Sequence, residues 1–272
     1  MTRSTYAGQQ RYSTFVWNGD TKATWADFAQ QIPAGLNYIS TGLPYWTIDA
    51  GAFFVADKES WFWKGDFQKG PEALGYRELY VRNLQFCQWL PLFRSHGTDF
   101  GREPWQFGES GTMFYDAIIK QINLRYRLLP YTYSLASMVS FHDYTMTRSL
   151  VFDFRDDSNV YDIKDQLMFG PSIMACPVTK PMYYDAGDKE LRGVSKKRLV
   201  YLPKGTAWFD FWTGKEYVGG QIITADAPID NIPVFVKSGS IIPMGPLQHY
   251  SSEKLDAEWD IRIYSGTDGK FT

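Results

Sequence analysis

In the stretch Arg11-Tyr-Ser-Thr-Phe-Val-Trp17-Asn-Gly19-Asp20, a short apolar run from Thr14 to Trp17 ends on a carboxylate behind an aromatic and a glycine. Parallel α/β barrels place their chemistry where strands end, so a carboxyl group here reads as functional more readily than one inside a helix. A helix N-cap is the competing reading of Asp20. The helical pattern of Trp25 to Ile32 follows it, and Asp at a strand-to-helix turn accepts backbone N–H bonds.

Two further units of the same kind follow. Leu43-Pro-Tyr-Trp-Thr-Ile leads to Asp49, and Pro91-Leu-Phe-Arg-Ser leads to His96 after a Trp- and Gly-rich loop (53–75) and a helical pattern from Tyr76 to Trp89. Apolar runs alternating with helical periodicity predict βα units and a parallel sheet. A long helix is expected from Met113 to Val139, with Pro130 inside it as a kink or break. From about Thr145 the pattern changes to short strands separated by turn residues, which predicts an all-β sandwich packed against the α/β part. The expected organisation is a barrel portion over 1–144, a β-sandwich over 145–246 and the start of a further β-module over 247–272.

Each strand end pairs a polar residue with an aromatic: Trp17 with Asp20, Trp46 with Asp49, Phe93 with His96. Two carboxylates, an imidazole and Arg11 at one rim would hold a polyhydroxylated ring by charge-assisted hydrogen bonds, with aromatic walls stacking on its faces. Taken singly, His96 also fits a structural imidazole, and Asp49 a cap or an ion pair with an arginine. Net charge is −2 and no long basic run occurs, so nothing points to nucleic acid or an anionic membrane as partner. Cys87 and Cys176 match no metal or redox spacing. No apolar leader and no apolar run long enough to span a bilayer stands in these residues.

The chain resembles the C-terminal half of glycoside hydrolase family 31, the family of α-glucosidases and α-xylosidases. The resemblance rests on Thr2-Arg-Ser4 with Gly8-Gln-Gln-Arg11-Tyr; Trp17-Asn-Gly-Asp20; Tyr45-Trp-Thr-Ile-Asp49-Ala-Gly-Ala-Phe53; Phe93-Arg-Ser-His96-Gly; Arg102-Glu-Pro-Trp105; and Arg125-Tyr-Arg-Leu-Leu-Pro130. Trp208-Phe-Asp-Phe-Trp-Thr-Gly214 and Pro233-Val-Phe-Val-Lys-Ser-Gly-Ser-Ile-Ile-Pro243 extend it into the β part. It implies an α/β plus all-β fold, with about the last three strands of a (β/α)8 barrel followed by a β-sandwich. It also implies Asp20 as general acid/base of a retaining exo-acting α-glycosidase, and Arg11, Trp17, Asp49, Phe53 and His96 as sugar-binding residues. No metal or organic cofactor is implied, because two carboxylates suffice for that reaction.

The chain departs from the family pattern in lacking the Trp-x-Asp-Met-x-Glu segment that carries the nucleophile. The expectation is therefore a fragment that lacks the N-terminal half of the same enzyme and is inactive alone. A non-catalytic remnant or a glycan-binding module is the alternative. Ala52 stands where the family has a second adjacent glycine, and Asn83 and Cys87 stand where relatives have Trp and Gly. The substrate is expected to be an oligosaccharide with a terminal α-xylosyl or α-glucosyl unit, with α-xyloside favoured. A periplasmic or extracellular location fits a bacterial glycan-degrading parent.

Overall fold

A computed structural model describes residues 1–253 and 256–266 together with Gly269 and Phe271. Its first part is organised by parallel strand ends. β1 (Val16–Trp17) pairs with β2 (Trp46–Thr47), Val16 opposite Trp46 and Trp17 opposite Thr47. On the other side of β1, Thr2 lies parallel to Val16 and its N–H donates to the Phe15 carbonyl at 3.0 Å. The segment Pro91–Ser95, expected as a third strand, contributes a single parallel bridge between Ser95 and Ala50. Its backbone groups go elsewhere. Pro91 has no N–H to donate, the Arg125 guanidinium donates to the carbonyls of Gln88, Leu90 and Pro91 at 2.8–2.9 Å, and Thr47 Oγ1 donates to the Leu92 carbonyl at 2.7 Å. The parallel segments form an open array; among the described residues no closed barrel forms.

Helix α1 (Trp25–Ile39) starts at Thr24, whose side chain accepts the Asp27 N–H at 3.0 Å. It continues through Pro33 beyond the expected end at Ile32, because Phe28, Ile32, Leu36 and Ile39 share one buried face at helical spacing. Its backbone rests directly on β2: a Cβ added at Gly35 would stand 2.3 Å from the Trp46 ring. The long helix expected from Met113 is two, α3 (Met113–Arg127) and α4 (Leu129–His142), meeting at Leu128. Pro130 cannot donate to the Tyr126 carbonyl four residues back, so the break falls at its N-terminal side.

The second part is antiparallel. β3 (Thr147–Ser149), β4 (Leu167–Phe169), β5 (Ile173–Ala175), β7 (Ala207–Asp210), β8 (Glu216–Val218) and β10 (Val234–Lys237) form a six-stranded sheet in the order β3-β4-β5-β10-β7-β8. β6 (Lys197–Leu202) pairs with β9 (Gln221–Asp226), and β11 (Ile241–Met244) with β12 (Asp260–Ile263), the latter from the segment expected to open a further module. Successive side chains divide the large sheet by face. Leu167, Phe169, Ile173, Ala175, Val234 and Val236 bury with the helices, whereas Met168, Met174, Phe235 and Trp208 bury with Val200, Leu202 and Ala225 of the β6–β9 ribbon.

Helix α2 (Leu74–Cys87), buried along almost its whole length, joins the two parts through two charged side chains. Glu78, fully buried, accepts the N–H groups of Met182, Tyr183 and Tyr184 at 2.7, 2.9 and 2.9 Å. One turn on, Arg82 donates to the carbonyls of Ala227, Pro228 and Asn231 at 2.8–2.9 Å. Burial pushes the Arg82 guanidinium down to about 10, and the Glu78 charge opposes that shift. Glu78→Ala would leave three N–H groups without their acceptor and remove the negative charge that offsets the buried Arg82 cation. It is expected to cost about 3–5 kcal/mol of unfolding free energy, measured as a lowered urea midpoint, with Glu78→Gln losing less because one acceptor oxygen remains.

Candidate active site

The loops that leave the parallel strand ends are stitched together by backbone hydrogen bonds. The N–H groups of Phe53 and Phe54 donate to the Thr21 carbonyl at 3.0 and 2.9 Å, Ala23 N–H donates to the Phe54 carbonyl at 2.8 Å, and Thr98 N–H donates to the Phe53 carbonyl at 3.0 Å. This lattice brings residues from four separate segments around one cavity of about 310 Å³, lined by Arg3, Trp17, Asp20, Phe53, Arg94 and His96 with Met1. Of the residues singled out from the sequence, Trp17, Asp20, Phe53 and His96 therefore meet. The Phe53 and His96 rings lie 5.7 Å apart. Asp49 sits behind the wall, fully buried, where Arg94 separates it from the cavity.

Asp20 is not a helix cap. That position belongs to Thr24, and the Asp20 carboxylate instead receives a hydrogen bond from Arg3 Nη2 at 2.8 Å. The Arg3 guanidinium also lies over the Trp17 ring, 5.1 Å from its centroid. The Arg3 side chain is 64% exposed and that of Asp20 26%, so the pair is held weakly and can exchange for another partner. Asp49 is different. Arg94 Nη2 approaches its Oδ1 to 2.6 Å, yet neither carboxylate oxygen accepts a well-directed hydrogen bond. Burial pushes the Asp49 carboxyl above the ordinary range; the Arg94 and His96 charges pull it back, and the Asp20 charge acts in the same direction as burial.

Arg11 does not reach this cavity. Its Nε donates to the Gly8 carbonyl at 3.0 Å and its guanidinium lies over Tyr12, so the side chain turns back onto its own loop. It lines a larger cavity of about 870 Å³ against α4, whose only acid is Asp143. Volume alone would pick that cavity; the titratable groups pick the smaller one. The arginines at the site are Arg3 and Arg94, which the sequence reading did not single out. Both were present in the motifs, in Thr2-Arg-Ser4 and Phe93-Arg-Ser-His96, but position in a motif does not say which way a guanidinium turns.

Below the cavity, the turn from Asp49 to Ala52 is closed by Ala52 N–H donating to the Asp49 carbonyl at 2.8 Å, and the Ala52 carbonyl accepts from Arg102 Nη2 at 2.7 Å. Gly51 and Ala52 both have positive φ, 83° and 65°. At Gly51 a Cβ would stand 2.5 Å from the Tyr80 ring. Ala52 carries its Cβ in the left-handed region, at a cost of about 1 kcal/mol. Ala52→Gly is thus expected to raise the unfolding free energy by up to about 1 kcal/mol, less the backbone freedom that glycine returns to the unfolded chain, as read from denaturant titration.

A folded-state pKa raised by burial means that the Asp49 contribution to stability is present in acid and lost as pH rises through the raised value. Asp49→Asn is therefore expected to be more stable than the parent at neutral pH, the difference closing as pH falls through the raised value and gone below about 3.9. Urea titrations across that range check this; an Asn variant no more stable at pH 7 would mean that the Arg94 attraction outweighs the burial of the carboxylate.

Residues 1–135 match the glycosyl hydrolases family 31 TIM-barrel domain and residues 143–242 the glycosyl hydrolase family 31 C-terminal domain. An α-xylosidase of Saccharolobus solfataricus is 42% identical over all of this chain and 33% of its own length. The α-glucosidase 2 of Bacillus thermoamyloliquefaciens is 31% identical, again over the whole chain and 30% of its own. The crystal structure of a family 31 α-xylosidase from Xanthomonas citri superposes with a TM-score of 0.84 at 40% identity, covering 99% of this chain and 27% of that one. The chain thus spans about a third of the length of the curated relatives it matches. With the Asp20 carboxylate and aromatic walls at one cavity and the two family domains matched in succession, this chain belongs to glycoside hydrolase family 31.

Proposed function

We propose that the chain is the late part of a (β/α)8 barrel followed by a β-sandwich, within a longer retaining exo-acting α-glycosidase that removes terminal α-xylosyl or α-glucosyl units from oligosaccharides. The observation that carries this reading is Asp20, a carboxylate at an open cavity with Trp17 and Phe53 as walls and an exchangeable pairing to Arg3. In this role Asp20 gives its proton to the departing glycosidic oxygen and then takes one from the incoming water. Asp49, behind the wall, holds the Arg94 guanidinium at the cavity by its charge, and Arg94, His96 and Trp17 bind and orient the ring. Arg11 has no part in this constellation as folded; Arg3 supplies the cation.

The attacking carboxylate of a retaining pair stands about 5–5.5 Å from the acid. Asp49, sealed behind Arg94, is assigned to holding that guanidinium in place, and the nucleophile to the part of the enzyme outside this chain. The higher identity to an α-xylosidase, 42% against 31% for an α-glucosidase, favours xylosides.

The test is hydrolysis of xylose- and glucose-terminated oligosaccharides, and of the matching aryl α-glycosides, by the natural protein that carries this sequence. Asp20→Ala is expected to lower kcat on the oligosaccharides by about 10²–10⁴-fold. The loss should be smaller on aryl glycosides, whose leaving groups depart without a proton. An unchanged rate in Asp20→Ala would sink the assignment. Residues 1–272 alone are expected to bind sugar without turnover; turnover by them would show that Asp20 finds its second carboxylate within this chain.

A further inference from the structure

Between Val55 and Phe67 the loop beyond Phe53 folds into a tight hairpin whose tip carries two exposed aromatic rings, Phe62 resting on buried Phe54 and Trp61 beyond it. Trp61 is 88% exposed and Phe62 43%. The stem is well anchored. Asp57 and Lys64 bridge in antiparallel fashion, Gly65 N–H donates to the Ala56 carbonyl at 3.1 Å, and Lys58 N–H donates to the Trp63 carbonyl at 3.0 Å. Lys58 Nζ lies 2.5 Å from Asp99 Oδ1 and 3.8 Å from the Trp63 ring centroid, and Trp63 Nε1 donates to Asp99 Oδ2 at 3.3 Å. Trp63 is thus the packed side of the hairpin and Trp61 its presented side.

The presented ring is connected to the cavity. Phe53 in the cavity wall meets Phe54 at 4.9 Å between centroids, Phe54 meets Phe62 at 5.7 Å, and Phe62 meets Trp61 at 5.3 Å in an edge-to-face contact of 81°. An aromatic path therefore runs from the site of bond cleavage out to an exposed indole on a rigid support. The axial C–H groups of a pyranose form an apolar face that stacks on such a ring, while its equatorial hydroxyls stay in water.

We propose that Trp61, backed by Phe62, is a stacking platform for the leaving-group portion of the substrate, so that the site favours oligosaccharides of several sugar units over short glycosides. This rests on the reading of the cavity as the site that holds the terminal sugar. Because Trp61 lies beyond Phe53 and touches none of the groups that move protons, it acts on binding and not on the chemical step.

The experiment is a titration of the natural protein that carries this sequence, in an Asp20→Ala background so that no bond is cut, with maltotetraose and with cellotetraose, following the Trp61 indole N–H resonance and the heat of binding, beside Trp61→Ala and Trp61→Phe. The expected result is a saturable shift of that resonance with at least one of the two, an affinity about tenfold weaker in Trp61→Ala, and most of it restored in Trp61→Phe. Equal affinity in parent and Trp61→Ala would overturn the platform, as would the absence of binding to either glucan. Either result leaves the hydrolysis assay of Asp20→Ala to judge the glycosidase reading separately, since that assay is scored on bond cleavage and not on Trp61.

Discussion

The parallel register of Val16 with Trp46 and Trp17 with Thr47 is the constraint from which the site follows. Side chains alternate along a strand, so a slip of one residue would turn Trp17 away from the cavity and bring Val16 toward it. The register is braced from both sides. Thr2 bonds along the outer edge of β1, and α1 presses its glycine backbone against the Trp46 ring, leaving no room for β2 to shift. Once the strand ends are level, the carbonyls of Thr21 and Phe53 find their donors across neighbouring loops, and residues as far apart in sequence as Arg3 and His96 come to face one small volume.

The molecule uses its charges in two distinct ways. Glu78, Arg82 and Arg125 are buried and donate to or accept from backbone groups that no strand or helix satisfies, so they act as fixed connectors whose removal leaves several orphaned groups at once. Arg3 and Asp20 are paired at the surface, where solvent lowers the value of the pair and either member can change partner. Asp49 lies between these extremes: buried like a connector, but with oxygens that no donor in the protein reaches well. Buried, under-bonded carboxylates of this kind are costly to a fold.

Much of this was legible in the sequence, and the failures have local causes. The strand ending at Trp17, the helix beginning at Trp25 and the all-β character after Thr145 follow from periodicity and turn residues, and they stand as read. Proline misled in one direction at Pro33, where a four-residue apolar face carries α1 past it, and guided correctly at Pro130, where the break falls just upstream. The expected third strand is reduced to one bridge at Ser95, with the Pro91 carbonyl taken by Arg125 and the Leu92 carbonyl by Thr47. Of the four residues that meet at one cavity, Trp17, Asp20 and His96 were picked out at the ends of expected strands and Phe53 by the family resemblance. Arg3 and Arg94 were not, since a long flexible side chain has several equally short paths and only the folded surroundings select one.

The connectors on α2 also bear on how such a protein can change over generations. Its two parts look separable on paper, yet Glu78 and Arg82 reach the 182–184 and 227–231 segments with six backbone hydrogen bonds between them. A recombination that exchanged the β part for one from elsewhere would have to bring both segments in matching conformation or leave two unpaired charges inside α2. An exchange would therefore keep these bonds only with a donor that carries the same pair of loops.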